Sequence, residues 1–264
     1  MKAKCSKWLT IFSLGLAGCM AAKAQNQAGV PGRITREWKD AAGVSIPCQI
    51  FLPLNYEKAR KYPLVLCLHG SGEMKSPPYT AKTAASTALL NPSLRAKYPA
   101  FLLVPQTTIG WVKRPERKGN IVTAGLQSEG PALKLVMQGL AEVMKEFSVD
   151  ADRVYVSGQS MGGVGTWSLI LHHPDIFAAA VPICGVGDPQ QADKIRCPVW
   201  DFHGAKDRTV PVACSRDMVA ALKKAGREVK YTEFPDVDHS SWVPAWAEPE
   251  LAPWLFSKHR AKLP

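Results

Sequence analysis

The feature that most constrains this chain is a succession of short apolar runs that for the most part alternate with helix-compatible segments. Residues 63–68, 101–104, 154–157, 177–183 and 199–203 are nearly continuous in apolar character. A strand with one wet face alternates polar and apolar residues, so unbroken runs point to strands buried on both faces. Between them, residues 129–147 set Leu133, Val136, Met137, Leu140, Val143, Met144 and Phe147 at helical spacing, with Ser128 as candidate N-cap and Pro131 in the first turn. Helices are also expected around 81–90, from 161 to about 172, around 214–225 and near 249–258. Residues 33–38 and 46–52 read as an antiparallel edge, and 228–234 as a last strand. This alternation predicts an α/β fold: one domain, a mostly parallel sheet with helices on both faces, and function at the carboxyl ends of the strands.

Candidate chemistry falls on that rim. Gly158-Gln159-Ser160-Met161-Gly162-Gly163 joins the run at 154–157 to a helix-compatible segment. The bare pattern also fits an inert glycine-rich turn; strand before and helix after make it a nucleophile elbow, in which strain holds the serine hydroxyl clear of the sheet. Serine is a poor nucleophile at neutral pH and needs a base within hydrogen-bond reach and an acid that orients the base. His239, after the last strand, is the candidate base. Asp207, in the glycine-containing turn after 199–203, is the candidate acid, with Asp188, Asp236 and Asp238 as competitors. Asp201 lies within a strand and reads as structural. The oxyanion would be held by the N–H of Met161 and by one from the Gly70-Ser71 loop. His69 is expected to brace that loop, His203 to pack beside the acid turn, and His172-His173 to be structural. Trp111 and Trp242 are candidates for the wall of a substrate cleft.

Composition narrows the classes. Of 264 residues, 46% are hydrophobic and 21% charged, enough to bury a sizeable core. The net charge of +11 falls to about +7 once Lys2, Lys4, Lys7 and Lys23 are set aside, and no nucleic-acid motif accompanies the remaining scattered cations. Those lysines flank an apolar stretch, residues 8–17, that is too short to span a membrane well, so an export leader is expected. Two processing readings stand side by side: a signal peptide of residues 1–24, or a lipoprotein signal of 1–18 with Cys19 acylated and anchoring the protein to a membrane. A linker of 25–32 and a catalytic domain of 33–264 follow. The five remaining cysteines imply no disulfide scaffold, although a pair among Cys184, Cys197 and Cys214 is open, and no ligand-spaced cluster calls for a metal.

Taken with their order, residues 68–73, 104–106, 158–167, 174–179, 203–207 and 238–242 resemble the α/β-hydrolase superfamily. More narrowly, they are similar to its bacterial predicted peptidase/esterase branch, related to polyhydroxybutyrate depolymerases and feruloyl or acetyl xylan esterases. The resemblance covers about residues 65–255 and implies a triad of Ser160, Asp207 and His239, no cofactor, and an ester substrate, small or derived from a polymer. A serine peptidase on the same triad is the alternative, and a non-catalytic binding protein of the same fold is a third reading.

Overall fold

The computed structural model describes residues 30, 32–112, 116–118, 121–124 and 129–260. An eight-stranded sheet is built from β1 (Arg33–Lys39), β2 (Ser45–Phe51), β3 (Tyr62–Leu68), β4 (Phe101–Pro105), β7 (Val149–Gln159), β8 (Ala179–Ile183), β9 (Val199–Gly204) and β10 (Val229–Phe234) in the order β1-β2-β4-β3-β7-β8-β9-β10. Strands β4 through β10 of this sheet run parallel, and β1 and β2 form the antiparallel edge. A separate hairpin pairs β5 (Glu116–Lys118) with β6 (Ile121–Ala124).

The apolar runs are buried on both faces, as their composition requires. Along β3, Leu64, Leu66 and Leu68 enter one core cluster while Val65 and Cys67 enter the other, and β4 and β7 alternate in the same way. On the first face lie α3 (Pro131–Glu146), α4 (Met161–His172) and α5 (Ala213–Lys224); on the second lie α1 (Ala84–Leu89), α6 (Trp242–Ala247) and α7 (Leu251–Ser257). Fully burying each Val, Leu, Ile or Phe contributes roughly 1.5–3 kcal/mol, so this two-faced core is the main source of stability.

Helix boundaries differ from expectation where local caps decide them. The helix expected around 81–90 is α1, opened by a reciprocal Thr83/Ser86 capping box; α2 (Pro92–Lys97), opened by the Asn91 side chain, lies beyond it and was not anticipated. Helix α3 takes Gly130 as its N-cap, since Pro131 occupies the first turn; Ser128 lies outside the described residues. Helix α6 and the β5–β6 hairpin were not anticipated. The six residues of α6 are too few to show a period, and Pro244 sits in its first turn, where a missing N–H costs nothing. Residues 1–29, with both processing sites, also lie outside the described residues. No helix among the described residues is long and apolar enough to cross a membrane.

Packing of α3 on the edge strands rests on Gly139. A Cβ there would lie 2.3 Å from the Trp38 ring, which cannot swing away freely because its indole N–H donates to Glu142 at 2.9 Å. Helix propensity alone favours alanine over glycine by about 1 kcal/mol, whereas overpacking costs about 1–3 kcal/mol. Gly139→Ala is therefore expected to lower the midpoint of urea unfolding; an unchanged or higher midpoint would show that Trp38 has room to move.

Candidate active site

Strand β7 ends at Gln159 and α4 begins at Met161, leaving Ser160 alone between them with φ 53° and ψ −116°. Left-handed backbone at a non-glycine residue costs about 1–3 kcal/mol and persists only where the surroundings fix it. Here the Ser160 N–H donates to the Ile183 carbonyl at 2.9 Å and its own carbonyl accepts from Val164 at 3.0 Å. The turn is also too crowded for side chains. A Cβ on Gly158 would come within 2.3 Å of the Gly162 carbonyl oxygen, and one on Gly162 within 2.3 Å of that of Leu68. These contacts seat the start of α4 on the end of β3.

Around Ser160 the structure gathers residues from separate strand ends. The Ser160 hydroxyl lies 2.9 Å from His239 Nε2, and His239 Nδ1 lies 2.7 Å from Asp207 Oδ2. Asp207 Oδ1 accepts from the backbone N–H groups of Thr209 at 2.8 Å and Val210 at 2.9 Å. Burial alone would raise the Asp207 carboxyl, but the bonds from His239, Val210 and Thr209 outweigh it and hold the group below its ordinary value. With Asp207 ionised, His239 carries its proton on Nδ1 and offers Nε2 as acceptor to the serine hydroxyl. The competing carboxylates are engaged elsewhere: Asp236 pairs with Lys206, Asp238 accepts from the Ser240 N–H, and Asp188 caps a 3-10 turn at residues 189–194.

The N–H of Met161 opens α4, where a helix leaves its first donors unpaired; the first turn of that helix lies against the Leu68 and His69 carbonyls, and the Gly70-Ser71 loop begins beside Gln159 at the end of β7. That loop is held from behind. His69 accepts from the Thr107 N–H at 3.0 Å through Nε2 and lies 2.6 Å from the Gly70 carbonyl oxygen through Nδ1. Burial lowers the pKa of His69, which fits a neutral brace. Gln106, whose bracing role was not foreseen, donates to the carbonyls of Ser76 at 2.8 Å and Glu73 at 3.3 Å; Gln159 likewise accepts from the Ala84 N–H at 3.2 Å. Their only sequence signal was proximity to the quoted motifs.

The two tryptophans part company. Trp242 is half-buried and sets its ring edge-on to His239 at 5.4 Å. Trp111, expected on the cleft wall, is instead fully buried, with its indole N–H donating to the His69 carbonyl at 2.9 Å. It is a core brace because that donor must be satisfied once the ring is inside. His173 pairs with Glu129 at 2.6 Å and His172 lies 2.8 Å from the Ser168 carbonyl, so both are structural.

Cys184, Asp207 and His239 offer potential metal-ligand atoms within 4.8 Å of one another. Burial pushes the Cys184 thiol up to about 12, away from the thiolate that would ligate a metal, and Asp207 and His239 already bond each other. The described cysteines 48, 67, 184, 197 and 214 are all free thiols.

Asp201 in β9 is fully buried, and neither carboxyl oxygen has a hydrogen-bond partner of ordinary geometry. Burial raises it from 3.8 to about 8, only partly offset by Ser215 and the Phe202 backbone. Between those values the folded chain keeps a proton that the unfolded chain has released, so this group makes stability fall as pH rises from about 4 to about 8. Asp201→Asn removes the penalty. Its gain in thermal midpoint over wild type is expected to be larger at pH 8 than at pH 5, and equal gains at both would contradict the assignment.

Known proteins share this fold. Residues 106–248, more than half of the chain, match the dienelactone hydrolase family. A solved thermostable esterase superposes with a TM-score of 0.79 at 33% identity, covering 88% of this chain and 64% of that one. A secreted protein of Arthroderma benhamiae is 26% identical over 250 residues, which is 81% of this chain and 24% of that protein. Poly(3-hydroxyalkanoate) depolymerase C of Paucimonas lemoignei is 31% identical over 124 residues, 47% of this chain and 28% of that enzyme. The chain thus spans about a quarter of the length of these two curated relatives. With the sheet order, the elbow and the family match in agreement, the chain belongs to the dienelactone hydrolase family, in the esterase branch of the α/β-hydrolase superfamily.

Proposed function

We propose that this protein is an exported serine carboxylic-ester hydrolase that works through an acyl-enzyme on Ser160. The observation that carries the reading is the unbroken hydrogen-bond chain from Ser160 Oγ through His239 to Asp207, at 2.9 and 2.7 Å. As Ser160 attacks the ester carbonyl, His239 Nε2 takes the hydroxyl proton and Asp207 stabilises the imidazolium that forms. The N–H of Met161 and one from the Gly70-Ser71 loop hold the oxyanion, each such donor being worth about 3 kcal/mol in comparable sites. His239 then protonates the leaving alcohol, and water enters by the same route to release the acid.

A small ester, or one derived from a polymer, fits the resemblance to the thermostable esterase and to the depolymerase. Trp242, beside His239, is the proposed wall for the substrate. Export is supported by the lysine-flanked apolar stretch at residues 8–17 and by the secreted fungal relative.

Purified protein is expected to hydrolyse short p-nitrophenyl esters much faster than peptide amides and to be labelled by a fluorophosphonate at Ser160. Ser160→Ala should abolish labelling and lower kcat by about 10⁴-fold or more, and Asp207→Asn should lower it by about 10⁴-fold. No turnover of any ester together with no label would leave a binding protein, while faster amide turnover would make it a peptidase. Mass spectrometry of protein recovered from cells should find a start at Gln25 or an acylated Cys19; an unprocessed Met1 would overturn export.

A further inference from the structure

Behind Asp207 lies a second histidine that the proposed reaction does not use. His203, at the end of β9, has no exposed side-chain surface and presents Nε2 to two oxygens, the Val210 carbonyl at 3.0 Å and Asp207 Oδ2 at 3.2 Å. Neither can donate while Asp207 is ionised, so Nε2 must carry the hydrogen. Its other nitrogen, Nδ1, lies 2.8 Å from Ser215 Oγ in α5 and accepts from that hydroxyl. Burial lowers the pKa of His203, which keeps the ring neutral in this tautomer. The oxygen that His203 reaches, Asp207 Oδ2, is the one that also receives the proton of His239 Nδ1.

We propose that His203 is a positioning residue for the acid of the site: its Nε2–H shares Asp207 Oδ2 with His239, and so fixes both the aim of the carboxylate and the negative charge it presents to the base. This rests on the acyl-transfer reading above. Ser215 holds the His203 tautomer from behind, with the buried Asp201 beyond it on the same strand. The remaining charged neighbours are Glu233, the register partner of His203 in β10, with Arg216 and Tyr231 bonded to it, and His239 across the shared carboxylate. Glu233 is already neutralised by Arg216 at 2.6 Å, which leaves Asp207 as the anion that His203 serves.

The sign follows from charge sharing. Without the His203 N–H, Asp207 Oδ2 concentrates its charge on His239 and holds the imidazolium proton more tightly. His203→Phe keeps a ring but removes the donor. It is expected to lower kcat on a p-nitrophenyl ester by about tenfold with little change in KM, and to move the acid limb of kcat/KM up by about half a pH unit. His203→Gln, whose amide N–H can reach the same oxygen, should recover most of both. Equal losses in the two variants without movement of the limb, or no loss in either, would reduce His203 to packing and overturn the proposal.

If His203→Phe fails to fold, Ser215→Ala carries the test: it removes the hydroxyl bonded to Nδ1 and so loosens the aim of the ring at Asp207 Oδ2, and an unshifted limb would overturn the proposal. NMR titration of the His239 ring supplies a readout independent of turnover. An upward shift of that titration in a protein that hydrolyses no ester would retain the positioning role while rejecting the esterase reading; no shift would reject the positioning role.

Discussion

The contact on which the rest of the structure depends is the close approach of backbone to backbone beneath Ser160. Gly158 lies against the Gly162 carbonyl, Gly162 against those of Leu68 and His69, and Gly163 against that of Ile183. Helix α4 is thereby clamped onto the ends of β3, β7 and β8 with no side chain between. The clamp has two consequences. It holds Ser160 in left-handed backbone, and it seats the first turn of α4 on the carbonyls of Leu68 and His69, just before the Gly70-Ser71 loop, so Ser160 and that loop share one rigid support. A single added methyl group at Gly158 or Gly162 would have to displace a carbonyl rather than a flexible side chain, and no rotamer change can relieve that.

Around this support Ser160, His239 and Asp207 form one chain of hydrogen bonds. Asp207 is fully buried at its side chain, a setting that by itself favours the neutral acid. Donors from His239, Val210 and Thr209 reverse that preference and leave an anion aimed at His239. Asp201, two residues before His203 on the same strand, receives no comparable set of donors and is pushed the opposite way. Two aspartates one short loop apart thus differ in charge because one faces a turn rich in N–H groups and the other faces the underside of α5.

How much was legible can be argued from particular elements. The buried strands were readable because a strand covered on both faces must be apolar throughout, as β3, β4 and β8 are. Ser160 was readable because the strained turn demands small neighbours at fixed spacing. His239 and Asp207 were readable from the chain order expected of the fold and from their places just past strands, Asp207 in a glycine-containing turn. Trp111 shows the limit: an indole in a loop between a strand and a helix can face either way, and only the position of the His69 carbonyl decided that it faces inward. The short α2 and α6 were also hidden, because caps and tertiary contacts, not periodicity, set elements of six residues.

The sequence by itself determined the layered α/β architecture, the elbow and the residue types at the rim, since each follows from local burial pattern or local backbone geometry. The sequence also favoured Asp207 over its competitors and set His203 beside that turn; tertiary structure alone decided the distances that join Asp207, His239 and Ser160 and which tryptophan stays near His239. Those outcomes depend on distances between residues dozens of positions apart, and no local pattern encodes them: the bond between His239 and Asp207 spans 32 residues, and that between His239 and Ser160 spans 79.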